Sequence, residues 1–111
     1  MRILSPETAH KDSRRELKQL FTADIKQVNS YDVNKGTPLG NHYHKVSYEY
    51  FYVTKGLLMV RIGDNTFPAN PGTLFCVEPN EFHTVEALSN KASFITFLTK
   101  AYSKEDTDTY K

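Results

Sequence analysis

The chain has 111 residues, enough for one domain of ordinary size and too few for a second core. With 39% hydrophobic and 13% aromatic residues it reads as a folded globular chain rather than a disordered one. Fourteen Lys and Arg against thirteen Asp and Glu give a formal charge of +1 with no dense basic block, which argues against nucleic acid as a main partner.

The opening "MRILSPETAHKDSRREL" interrupts its apolar residues at Ser5 and Pro6, so it holds no signal-peptide core. Nowhere do about 18 apolar residues run together. The expectation is a cytoplasmic protein with no membrane partner. Residues 1–24 read as an N-terminal arm or edge strand. Within them "SRRELKQLF", Ser13 to Phe21, places Leu17, Leu20 and Phe21 at helical spacing, which predicts a short helix with a strand as the alternative. His10 has nothing around it that gives it a role.

From there on the chain reads as short strands between turns. "IKQVNSYDV" leads into the turn cluster "NKGTPLGN", and "EYFYVTKGLLMVRIG" holds a Lys55-Gly56 turn between two apolar runs. "TLFCVE", "FHTVEAL" and "ASFITFLT" follow, punctuated by Gly, Pro and Asn. Strands at this spacing predict an all-β sandwich or barrel. In "YFYVTKGLLMVRI" both alternating faces are apolar, with Phe51, Val53, Leu58 and Val60 on one and Tyr50, Tyr52, Leu57 and Met59 on the other. A strand apolar on both faces is covered on both, so the second face is expected to meet another copy in a homodimer. Cys76, the one cysteine, excludes an internal disulfide and reads as a buried structural thiol. "AYSKEDTDTYK", residues 101–111, reads as a polar tail, solvated or frayed.

The stretch "GNHYHKVSYEYFYVTKG" sets chemistry against this pattern. His42 and His44 lie two apart, so on one strand they point to the same face. Glu49 is an odd number of positions from each and would face away unless the polar "KVS" carries a turn or a strand change. His83, in "NEFHTVE", stands at a strand entrance some forty residues after the pair. Two close donors with two more from neighbouring strands would assemble a metal site. Periodicity alone leaves hydrogen-bonded core or surface groups equally open.

The segment Gly36 to Gly56 resembles the first cupin motif: Gly, five residues, His-x-His, three or four residues, Glu, six residues, Gly. Gly36, His42, His44, Glu49 and Gly56 all fall in register. "GTLFCVEPNEFHTVEA" resembles the second motif in part. Gly72 and His83 match it, whereas Glu78, Asn80 and Ala87 stand where Pro, Gly and Asn are expected. The resemblance implies a single cupin domain over 1–111, a double-stranded β-helix or jelly-roll barrel, with His42, His44, Glu49 and His83 as ligands of one divalent metal ion. Three imidazoles and a carboxylate with open positions suit Zn, Fe(II), Mn or Ni.

A further resemblance, in "HKDSRRELKQLF" and "KQVNSYDVNKGTPLGNHYHK", is to the RmlC-like, nucleotide-sugar branch of the cupins. That branch includes deoxysugar 3,5-epimerases, 3,4-ketoisomerases and the metal-binding cupin domain of capsular-polysaccharide reductase/epimerases. Asp12 and Arg14 fit its Asp-x-Arg-Gly stretch, with Arg15 in place of the glycine. The branch implies a nucleoside-diphosphate 4-keto sugar as substrate and proton transfer next to the carbonyl, with Arg14 on the diphosphate. No residue stands out as the base, and Tyr31, Tyr43 and Tyr52 are assigned no catalytic role. The ligand set equally permits an Fe or Mn dioxygenase, and the small size a sugar-binding module without turnover.

Overall fold

The computed structural model describes residues 1–111 as eleven strands and no helix. In chain order these are β1 (Arg2–Leu4), β2 (Glu7–Lys11), β3 (Glu16–Gln19), β4 (Gln27–Asn34), β5 (Leu39–His42) and β6 (Glu49–Lys55). After them come β7 (Leu58–Ile62), β8 (Asn65–Ala69), β9 (Leu74–Val77), β10 (His83–Ala87) and β11 (Lys91–Leu98). One sheet has the order β1-β9-β6-β11-β4, a second the order β5-β10-β7-β8, and every neighbouring pair is antiparallel. The two sheets form the jelly-roll barrel expected from the sequence. No helix is long and apolar enough to cross a membrane.

Alternation fills the space between the sheets. Phe51 and Val53 from β6, Phe75 and Val77 from β9 and Phe94 from β11 meet Leu58, Val60 and Ile62 of β7 and Val85 of β10 in one buried cluster. Phe51 and Phe75 stack at 4.7 Å between ring centres, and Phe67 meets Phe75 edge-on at 5.5 Å. Cys76 is fully buried, and burial raises its thiol pKa.

Phe51, Val53, Leu58 and Val60 all point inward, as their alternation predicts. Their four counterparts do not share one outer face, because Lys55-Gly56-Leu57 carries the chain from one sheet to the other. Tyr50 stays with the five-stranded sheet, stacked at 4.3 Å on Phe21 of the chain's own arm, whereas Met59 lies beside Arg61 on the four-stranded sheet. Gly56 makes that crossing possible. It takes φ +75, and a Cβ there would stand 2.2 Å from the Lys91 carbonyl oxygen.

Two expectations need correction. The helix over Ser13 to Phe21 does not form and the strand given as its alternative does: Glu16–Gln19 is strand β3, paired with β2 in a hairpin. Asp12 is the physical reason, since its Oδ1 accepts the backbone N–H groups of Arg14 (2.8 Å) and Arg15 (3.1 Å) and fixes a turn. Every residue of both hairpin strands is exposed, so Leu17 on a helix there would have had nothing to pack against. The segment 101–111 is mostly exposed but not frayed. Tyr110 and Tyr43 exchange backbone hydrogen bonds of 2.9 and 3.0 Å, their rings stack, and Asp108 is only 5% exposed.

Candidate metal centre

The change of sheet that "KVS" suggested is what brings Glu49 round. β5 and β6 belong to opposite sheets, and Tyr43 to Tyr48 cross between them. Glu49 therefore enters the barrel from the five-stranded sheet while His42 enters from the four-stranded one, where it pairs directly with His83. Gly40 allows that pairing to be close: it has φ +93, and a Cβ would lie 2.9 Å from the His83 carbonyl oxygen. His44 projects from the crossing segment. The donor atoms of His42, His44, Glu49 and His83 all lie within 4.8 Å of one another.

Two of the three imidazoles, those of His44 and His83, are oriented from behind. Nδ1 of His44 donates to the Asp108 main-chain oxygen at 2.7 Å, and Nδ1 of His83 to the Glu81 oxygen at 3.0 Å. A carbonyl only accepts, so each Nδ1 carries its proton and each Nε2 is turned inward. The two Nε2 atoms stand 3.1 and 3.4 Å from Glu49 Oε1. Ring N–H groups held by carbonyls, with the opposite nitrogens converging on a buried carboxylate, form the donor set and outer shell that a divalent cation requires. The residues present fit such an ion.

Charge follows from the same contacts. Burial works to raise the Glu49 pKa, but hydrogen bonds and attraction from His44 and His83 overcome it and hold the group at about 2. Burial likewise opposes the charged form of His44, and its bonds to Glu49 and Asp108 reverse the balance and raise its pKa. His42 goes the other way: burial and then the neighbouring imidazoles lower it. A buried anion facing three imidazoles has to be compensated by a proton or a metal ion.

Two adjoining cavities open on the cluster. The larger, about 250 Å³, is lined by His42, His44 and Glu49 together with Gln27, Asn29 and Lys100. The smaller, about 160 Å³, is bounded by His42, Glu49, His83 and the apolar Leu39, Phe51 and Phe94. Tyr31 lines both. Arg14 lines neither: its side chain is 82% exposed at the hairpin turn and pairs with Asp12 at 3.1 Å.

The second-motif departures also find an explanation. Asn80, where the pattern has glycine, adopts φ +68 and donates its N–H to the His44 carbonyl at 2.6 Å. Asn is among the few side chains that tolerate this backbone region, so the turn survives the substitution.

The profile of the cupin domain family matches residues 29–98, well over half of the chain. The chain is a cupin. No curated protein sequence matches this cupin significantly. Among solved structures it is similar to the sugar 3,4-ketoisomerase QdtA of Thermoanaerobacterium thermosaccharolyticum in complex with TDP, with a TM-score of 0.77, 17% identity, and coverage of 97% of this chain and 85% of that one. It is similar also to the dTDP-6-deoxy-D-glucose-3,5-epimerase RmlC of Legionella pneumophila in complex with dTDP-4-keto-L-rhamnose (TM-score 0.75, 19% identity, 93% and 68% covered). The capsular polysaccharide assembling protein CapF of Staphylococcus aureus matches at TM-score 0.69 and 21% identity over 96% of this cupin. This cupin spans about a third of the CapF chain, 34%. At these identities the likeness is one of fold.

Sequence reading missed the walls of the cavity. Gln27, Asn29 and Tyr31 share the inward face of β4 with buried Val33, so a period-two count carried the signal. Asp108 had none, since its neighbours are polar and its partners lie some sixty residues away.

Proposed function

We propose that this cupin is a metal-dependent enzyme that moves a proton on the carbon beside the carbonyl of a nucleoside-diphosphate 4-keto sugar. The observation that carries the reading is the convergence of His42, His44, Glu49 and His83 at the junction of two cavities that share Tyr31. Its likeness in fold to structures named as a sugar ketoisomerase and a deoxysugar epimerase supports the substrate class. One divalent ion, Zn, Fe, Mn or Ni, is the cofactor in this reading, held by those four side chains, and when bound it supplies a Lewis acid for a carbonyl oxygen.

The chain's own groups fit the rest of the task. Removing a proton beside a carbonyl places negative charge on the carbonyl oxygen, and a site needs donors aimed there. Burial, and then the charge of Glu49, raise the Tyr31 pKa, so its hydroxyl stays protonated and suits donation rather than proton removal. Gln27, Asn29 and Lys100 give the larger cavity the polar groups to orient hydroxyls, while Leu39, Phe51 and Phe94 give the smaller one an apolar wall. Arg14 is assigned to the diphosphate. Because it lines neither cavity of its own chain, that role requires a homodimer in which the exposed β2–β3 hairpin reaches the site of the second copy.

The test is solvent-deuterium exchange into a dTDP-4-keto-6-deoxy sugar, followed by NMR. Deuterium at the carbon beside the carbonyl, lost in Glu49→Gln and after chelation, is the expected result. Binding without exchange would make the protein a sugar-binding module. Oxygen uptake with native iron would make it an oxygenase.

A further inference from the structure

The segment that ends the chain reaches the back of the site, and its contacts go beyond what packing needs. Asp108 Oδ1 accepts the N–H of Lys45 at 2.9 Å, Oδ2 accepts that of Ser47 at 2.8 Å, and both oxygens face the N–H of Val46 at 3.2 and 3.3 Å. These three residues follow His44 directly and lead to Glu49, so one carboxylate pins the crossing that carries His44 and runs into the strand that begins at Glu49. The same residue's main-chain oxygen accepts the His44 Nδ1 proton. Asp108 takes φ +50, which aims carbonyl and carboxylate at the same loop. Thr107, Asp108 and Thr109 form one wall of the larger cavity.

We propose that Asp108 is a positioning residue for the metal centre: it latches segment 101–111 onto the loop Lys45–Ser47 and holds His44 with Nδ1 protonated and Nε2 turned toward the ion. The inference rests on the metal reading above and adds to it a part of the chain outside the cupin motifs. A latch and an ion that both depend on the orientation of His44 stabilise each other, because coupling between two binding events is reciprocal.

The variant that isolates the latch is Asp108→Gly, which keeps access to the positive φ while removing the carboxylate; Asp108→Asn retains an acceptor oxygen. Zinc titration against a chelator is expected to weaken about 10–100-fold in the glycine variant, the range for loss of an outer-shell partner, and to recover most of that in the asparagine variant. A second measurement needs no variant. In the metal-free wild-type protein, hydrogen exchange of the His44 Nδ1 proton and of the Ser47 amide should be slow and should accelerate together when the latch opens. Unchanged zinc affinity in a folded Asp108→Gly protein would overturn the proposal, as would a freely exchanging Nδ1 proton beside a protected Ser47 amide. If the wild-type protein binds no zinc while its Nδ1 proton stays protected with Ser47, the metal reading fails, and what stands is the hold of Asp108 on His44 without an ion to serve.

Discussion

Along β6 the inward positions are Val53, Phe51 and Glu49, and within those few residues the barrel passes from one kind of interior to another. The far end is closed by Val53, Phe75 and Phe94, all at most 2% exposed, with Phe51 stacked on Phe75 and tilted against Phe94 on the inner face of the five-stranded sheet. At the mouth, His44, Glu49 and His83 are 6, 6 and 3% exposed, nearly as buried, yet each carries charge or hydrogen-bonding capacity. Equal burial has opposite consequences at the two ends. Apolar area removed from water stabilises the fold, whereas buried ionisable groups cost free energy unless compensated. A polar cluster kept beside a ready apolar core points to chemistry rather than stability.

Substitutions should separate the ends, and the largest effect belongs to the apolar one. Phe75→Ala is expected to lower unfolding free energy by about 3–5 kcal/mol in urea titrations. Gly56→Ala follows, at roughly 1–3 kcal/mol, because it combines a positive φ with a clash against the Lys91 carbonyl.

At the mouth the signature is pH dependence. In the metal-free protein the Glu49 pKa is held at about 2, below the 4.5 of a free glutamate. Its contribution to stability is complete above about 4.5 and is lost as pH falls toward 2, a span on the order of 3 kcal/mol. Glu49→Gln should flatten that acid limb in denaturation curves taken at successive pH values. A limb as steep as the wild type's would mean that other carboxylates carry it. The smallest effect is expected from Arg14→Ala, within about 0.5 kcal/mol, because its pair with Asp12 is exposed. Against that unchanged stability, a raised KM for the nucleotide sugar would mark the diphosphate contact, and an unchanged KM would remove Arg14 from the site.

The same contrast explains what the sequence disclosed. Period-two alternation marked the core residues Phe51, Val53, Leu58 and Val60, because burial on one face leaves a regular trace in the chain. Register with the cupin motifs brought out His42, His44, Glu49 and His83, whose convergence depends on a strand change that spacing only suggested. Helical spacing in Ser13 to Phe21 misled, since Asp12 fixes a hairpin through its own hydrogen bonds to Arg14 and Arg15. Asp108 was illegible for a related reason. Its role depends on three backbone N–H groups more than sixty residues away, and an acceptor of main-chain donors leaves no side-chain pattern in its partners.

The most direct test of the mouth as a metal centre is elemental analysis of untagged protein beside His83→Ala. The account predicts one divalent ion per chain in the wild type and none in the variant, with both proteins folded. Wild-type protein that stays free of metal after anaerobic loading, or a variant that keeps its ion, would contradict it.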